Sequence, residues 1–386
     1  MSKQLADTDG DGFSDLAEVL SASDPLSSSS YPTRGVELWS LDVGSVSSNV
    51  AIDEQGTLYA GSKFVYAVNK RGEILWRYTV LGDVLRAPTL DGRGHLYVTT
   101  SSGNVYALTT TGELIWQKAG FGRVDDIALG VDNSLYIGSA NDWLFKLDQL
   151  TGNKVWSVLL AGDVRRPSLG FDGFLYVATH NGHVYKLSPD DGSEVWHINY
   201  PDMADSFAIA DDGTLYVVEG GAIRALSPVD GSTVFRSDLA THSSGTPVTA
   251  AGLVYAAGHS GAALVGMSES GVLDSRFSSG HSNWSTVVLA KDGTVYFSTQ
   301  ENSFAVGGGV LAWQRNGIGM SVNRPATLGH DGTVYLVDNT GRLHALADNS
   351  GGLADSGWPI DGHDLSHSAN QCWYEGIVYG QGDIDG

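Results

Sequence analysis

The chain has 386 residues and carries 44 Asp and Glu against 22 Lys and Arg, a formal net charge of −22. That field repels nucleic-acid phosphates and anionic lipid, which proteins engage through clustered cations, and it suits divalent cations. No run of eighteen apolar residues exists, so membrane insertion is not expected, and the single cysteine, Cys372, excludes an intrachain disulfide.

In chain order, the start Met1-Ser2-Lys3-Gln4 lacks the apolar core of a signal peptide, so any export signal is expected to be absent from this chain. Asp7-Thr8-Asp9-Gly10-Asp11-Gly12-Phe13-Ser14-Asp15-Leu16-Ala17-Glu18 has the spacing of an EF-hand loop. Asp7, Asp9 and Asp11 can converge on one ion, Gly12 permits the sharp turn, and Phe13 offers its carbonyl. Asp15 ligates directly or through water, and Glu18 closes the site from a short helix expected over Asp15–Leu20 and ended by Asp24-Pro25. With no entering helix, residues 1–26 resemble the calcium-binding thrombospondin type 3-like repeats of bacterial exported proteins, and calcium is the expected ion. Residues 27–35, with Ser27-Ser28-Ser29-Ser30, read as a linker.

From there a repeat dominates. Tyr59, Tyr97, Tyr136, Tyr176, Tyr216, Tyr255, Tyr296 and Tyr335 recur at intervals of 38 to 41 residues, each inside a short apolar run. Residues 160–199 show four strands in one repeat. Strand A begins at Pro167-Ser168-Leu169, strand B is Leu175-Tyr176-Val177, strand C is His183–Leu187, and strand D is Glu194-Val195-Trp196. Asp-Gly pairs such as Asp172-Gly173 and Asp191-Gly192 supply the positive φ that tight hairpins need. Four short antiparallel strands repeated radially predict an all-β, eight-bladed β-propeller over residues 36–350, with a solenoid as the alternative. An orphan D-type strand around Trp39 precedes the first complete repeat, and the eighth repeat loses its pattern after Leu346. The N-terminal strand is therefore expected to complete blade eight, in competition with a ninth partial copy at Gly376-Ile377-Val378-Tyr379. Residues 351–386 are expected to be a tail packed on the ring, with Cys372 a small buried residue there.

The Asp-Gly-Thr-Leu-Tyr run, a C strand such as Val105-Tyr106-Ala107-Leu108, then Thr-Gly and a tryptophan resemble the pyrroloquinoline-quinone-like propeller repeat over residues 36–347. Members of that family include quinoprotein dehydrogenases, an outer-membrane assembly lipoprotein and bacterial surface proteins. The resemblance implies a neighbouring-cysteine disulfide wherever the quinone is bound, which one cysteine cannot make, so no quinone cofactor is expected.

Site residues are sought where the repeats differ. Ahead of strand A, related repeats carry small residues. Here those positions hold Arg86, Asp125, Arg165, Arg166, Asp205, Trp284 and Arg324, all expected at one mouth of the channel. The B–C turns of the same face add His180, His183 and Trp143. Guanidinium forks suit carboxylate or sulfate oxygens, and aromatic faces stack on sugar rings. A self-satisfied ring, with Arg86 and Arg165 paired to Asp125, accounts for the same residues, and the turn histidines are equally read as solvated. The expected function is a secreted, cell-surface or periplasmic bacterial module, monomeric and non-catalytic, that binds an extracellular glycan or protein. The alternative is a lyase-type enzyme on an acidic polysaccharide, although no acid–base pair can be named.

Overall fold

The computed structural model describes residues 7–44, 48–200, 203–219, 221–239, 247–250, 252–257, 263–268, 270–278, 287–319 and 325–354. In the tail it describes 360, 364, 368–369, 373–374 and 377–378. Eight four-stranded antiparallel sheets form the blades of a propeller, and seven of them run A–B–C–D in chain order. The eighth has the order Glu37–Asp42, Arg342–Leu346, Val334–Val337, Thr327–Leu328, so the N-terminal strand is its strand D. Trp39 lies opposite Ala345 and Leu41 opposite Leu343. The run around Ile377 does not compete for this place: Ile377–Val378 pairs with Trp373–Tyr374.

The repeat residues explain the packing. The strand B tyrosines Tyr59, Tyr97, Tyr136, Tyr176, Tyr216, Tyr296 and Tyr335 are buried, and each of these lies against an aromatic of its own strand D. In blade one Tyr59 and Trp76 have centroids 6.0 Å apart. Each tryptophan also reaches the next blade. Trp39 Nε1 donates to Lys70 O at 2.8 Å, and Trp76 Nε1 donates to Thr110 O at 2.9 Å. Gly72, at φ 80, packs its backbone against the Trp39 ring, where a Cβ would come within 2.8 Å. The repeat period is thus the period of one inter-blade joint.

One helix, α1 (Asp15–Ser21), is present among the described residues. Ser14 caps its start, and Ala22 ends it in left-handed conformation with its N–H on the carbonyls of Glu18 and Val19. The helix therefore stops before Asp24-Pro25, at its own cap. No helix of the described residues is long and apolar enough to cross a membrane.

The two faces of the ring differ. The D–A connections and B–C turns lie on one face, and the A–B and C–D turns on the other. The tail works on the second face. Leu353 bridges to Ala290 in blade seven, whereas Ser368 O and Ala369 O accept from Leu129 N and Leu169 N, at the far ends of strands A in blades three and four. Blades three and seven stand opposite one another in an eight-membered ring, so the tail passes from one side of the channel to the other.

Candidate functional site

Strand A borders the channel. In blades three to five it is long, over Val124–Leu129, Val164–Leu169 and Met203–Ile209, and it slips register against strand B. The slips fall between Val124 and Ile127, between Arg165 and Ser168, and between Met203 and Phe207. Strand A of blade four thus starts three residues earlier than Pro167, because the bulge lets the chain pair on both sides of it. Bulges leave residues unpaired and re-aim their side chains, here at the channel mouth. Arg166 sits on such a bulge at φ 35, a left-handed backbone that costs an arginine about 1 kcal/mol.

The bulges bring distant arginines together. Arg86 Nε lies 3.6 Å and Arg166 Nε 3.5 Å from the same oxygen of Asp126. Arg165 pairs with Asp163 at 3.3 Å. The three guanidinium side chains are largely covered, so their ion pairs stand in a partly desolvated environment.

Asp126, the carboxylate that Arg86 and Arg166 share, stands beside the Asp125 expected from the sequence. Asp125 and Asp205 have described backbones only, and Trp284 and Arg324 lie outside the described residues, as do Cys372 and Tyr379. The turn residues form a second group farther from the axis. His183 Nε2 meets Asn199 Nδ2 at 2.9 Å, and its ring stacks on Tyr185 and tilts towards His197. Burial first, then the neighbouring His197, lowers the His183 pKa. Trp143 stacks on Phe145 at 6.1 Å and is more than one-third exposed. The His180 N–H donates to Asp163 O at 3.0 Å, which ties that turn to the Arg165 pair.

The N-terminal loop has its own geometry. Asp7 accepts from Gly10 N at 2.8 Å and Gly12 N at 3.1 Å, and Asp11 accepts from Phe13 N at 2.9 Å. These bonds wind the chain so that one oxygen from each of Asp7, Asp9 and Asp11 falls within 4.8 Å of the others. Asp15 accepts from Thr8 N and Thr8 Oγ1, both at 2.8 Å. Four carboxylate oxygens are buried with no hydrogen-bond partner: Asp9 Oδ2, Asp11 Oδ2 and both oxygens of Glu18. Glu18 touches no solvent, and burial, then the charges of Asp9, Asp11, Asp15 and Asp7, pushes its pKa up to about 7. Buried anions without donors are costly, and an all-oxygen set of this kind is the donor chemistry that a hard cation takes.

An eight-bladed ring with these Tyr–Trp joints defines a propeller of the pyrroloquinoline-quinone-like repeat class. The family model described as outer membrane protein assembly factor BamB matches residues 28–120, 90–202 and 147–354, and the chain belongs to that family. Among solved structures, it is similar to BamB from Moraxella catarrhalis, at 16% identity and TM-score 0.66, over 81% of this chain and 100% of that one. It is similar also to the computationally designed Ika8 protein, at 13% identity and TM-score 0.70, over 82% and 100%. Saccharomyces cerevisiae Sqt1 is 11% identical at TM-score 0.70, again over 82% and 100%. No curated protein matches. At these identities the solved structures establish the fold.

Proposed function

We propose that this protein is a non-catalytic scaffold of the bacterial cell envelope or exterior that holds an acidic segment of a protein partner at its arginine mouth. The observation that carries the reading is the Asp126-bridged pair of Arg86 and Arg166, the latter held at φ 35 on a bulged strand. Strained backbone at a channel mouth orients a side chain that packing alone does not require. The family's printed role, in assembly of outer membrane proteins, favours a protein over a glycan. The test is binding of acidic peptide and glycan arrays by the wild type and by an Arg165→Ala, Arg166→Ala variant. Loss of a salt-sensitive peptide signal without loss of folding supports the reading. A ligand indifferent to both substitutions refutes it.

The same reading gives the N-terminal loop a calcium ion, held by Asp7, Asp9, Asp11, the Phe13 carbonyl, Asp15 and Glu18. Its support is the set of orphaned oxygens on Asp9, Asp11 and Glu18, together with the approach of Asp7, Asp9 and Asp11 oxygens to within 4.8 Å of one another. The expected oxygen distances on binding are about 2.3–2.6 Å. Calcium titration of the wild type against an Asp11→Ala, Glu18→Ala variant tests it, and equal binding by both refutes it.

A further inference from the structure

The acidic loop lies at the one joint where the ring is not covalently continuous. At the joints of Trp39, Trp76, Trp116, Trp156 and Trp196 a C–D turn supplies both halves: a glycine against the preceding blade's tryptophan ring and a carbonyl for its indole N–H. Gly112 and Thr110 do this for Trp76, and Gly152 and Gln149 for Trp116. In blade eight the turn is cut, and the two ends of the propeller chain rebuild it. Gly35 packs on Trp313, where a Cβ would come within 2.8 Å, and Asp348 takes the Trp313 Nε1–H at 2.6 Å. A carboxylate thus replaces the turn carbonyl. Arg34 neutralises it, with Nε and Nη2 at 2.9 and 2.7 Å from Asp348 Oδ1. The backbones close the joint through Gly35 N to Ala347 O and Ala347 N to Val36 O, at 2.7 and 2.8 Å.

The loop is fastened to this joint. Helix α1 lies against the closing strand, and Phe13 is 2% exposed with its ring stacked on Tyr31. The Gly12 backbone is pressed on Asn349, one residue beyond Asp348, so that a Cβ on Gly12 would stand 3.3 Å from the Asn349 Cβ. Glu18 itself leaves the first turn of α1, and both its oxygens are buried and unpartnered beneath the loop. The loop's shape, the helix and the joint are therefore one mechanical unit.

We propose that a divalent cation in the Asp7–Glu18 loop is the clasp of the propeller, fixing the loop in the form that docks on Arg34–Asn349 and so holding the closing strand in blade eight. This rests on the cation reading above and deepens it from a peripheral site to a regulator of ring closure. A ligand that binds the docked form alone shifts the equilibrium towards that form, and a closed joint must in turn bind the cation more tightly. With no cation, five carboxylates crowd the loop and oppose docking. Calcium-rich surroundings lock the ring, and calcium-poor ones leave the closing strand free to peel.

The experiment is hydrogen exchange on the whole chain, with calcium or with chelator, alongside calcium titration. Calcium is expected to slow exchange of the Glu37–Asp42 amides about tenfold, while strand D of blade four, Glu194–Asn199, is unchanged. Phe13→Ala keeps the ligating carbonyl and removes the buried ring that holds the loop to Tyr31, in the segment leading to Arg34. It is expected to bind calcium while losing that protection, whereas Glu18→Gln is expected to lose both. If wild type binds calcium at the loop and Glu37–Asp42 exchange does not respond, the clasp is overturned and the site stands. Full protection in Phe13→Ala also overturns the clasp. If titration finds no calcium at the loop, the cation reading fails and takes the clasp with it.

Discussion

Replacing Glu18 by Gln keeps the side chain's shape and removes one charge from a place where nothing balances it. In the cation-free protein its carboxyl is held up to about 7 against an ordinary 4.5, by burial first and then by Asp9, Asp11, Asp15 and Asp7. Taken in full that displacement is about 3 kcal/mol. The loop is a thin shell with Asp7 exposed to water, so solvent screening reduces the expected effect to about 1–2 kcal/mol. The sign follows from linkage. A folded-state pKa above the unfolded one means the folded protein binds the proton more tightly. The penalty is absent below about pH 4.5 and grows as pH rises towards about 7. In chelator at about pH 8, Glu18→Gln is therefore expected to be more stable than wild type by about 1–2 kcal/mol, and equal to it near pH 4. With calcium the order reverses, because only the wild type gains binding free energy. Urea unfolding followed by tryptophan fluorescence reads all four conditions. A Gln variant less stable than wild type in chelator at about pH 8 refutes the reasoning, since it means that Glu18 is already satisfied inside the protein.

Other perturbations test the rest of the structure. Arg166→Gly and Arg166→Ala both lose the Asp126 pair, but only glycine relieves the left-handed backbone, so thermal unfolding is expected to show Gly ahead of Ala by about 1 kcal/mol. Deleting residues 1–42 is expected to broaden the unfolding transition and lower its midpoint sharply, because it strips strand D from blade eight, whereas deleting 1–34 keeps that strand and loses only the acidic loop and the Arg34–Asp348 pair, so its midpoint is expected to fall less. Burial opposes the charge of Asp338, but hydrogen bonds from Thr340, His344 and the backbone outweigh it and hold its pKa below the ordinary value. Its contribution is present above the unfolded carboxylate range and is lost as pH falls through the lower folded value, and Asp338→Asn is expected to flatten that part of an acid unfolding curve.

What was legible in the sequence is what the chain states repeatedly. Tyr59 and its seven equivalents each sit in a strand B, and Trp39 declared itself a strand D residue because it matches Trp76, Trp116, Trp156 and Trp196, with Tyr335 of the last repeat its partner in the ring. A joint repeated around the ring leaves a period, and a period survives inspection without coordinates. The mouth was legible only in outline. Arg86, Arg165 and Arg166 stood out against small residues, but the sharing of Asp126 by Arg86 and Arg166 was not legible, because it depends on where the register slips between Val124 and Ile127. Arg34 and Asp348 were not legible as partners. They are 314 residues apart, each occurs once, and only ring closure makes them neighbours.

The cut in the eighth C–D turn explains why both accessory segments lie on one face. A chain that enters strand D of blade eight and leaves from strand C must do both on the side where C–D turns lie, so the acidic loop and the tail necessarily gather there. The tail's contacts with Leu129 and Leu169, at the far ends of strands A, then place it across the channel on that same side. The opposite mouth, reached by Arg86, Arg165 and Arg166, carries neither segment among the described residues. A partner approaching the arginines meets, among the described residues, strand A bulges, D–A connections and B–C turns, elements that vary between blades without disturbing the Tyr–Trp joints. The clasp, by contrast, acts on a joint and must be matched to it residue by residue. Partner choice can therefore change at one face while closure is maintained at the other.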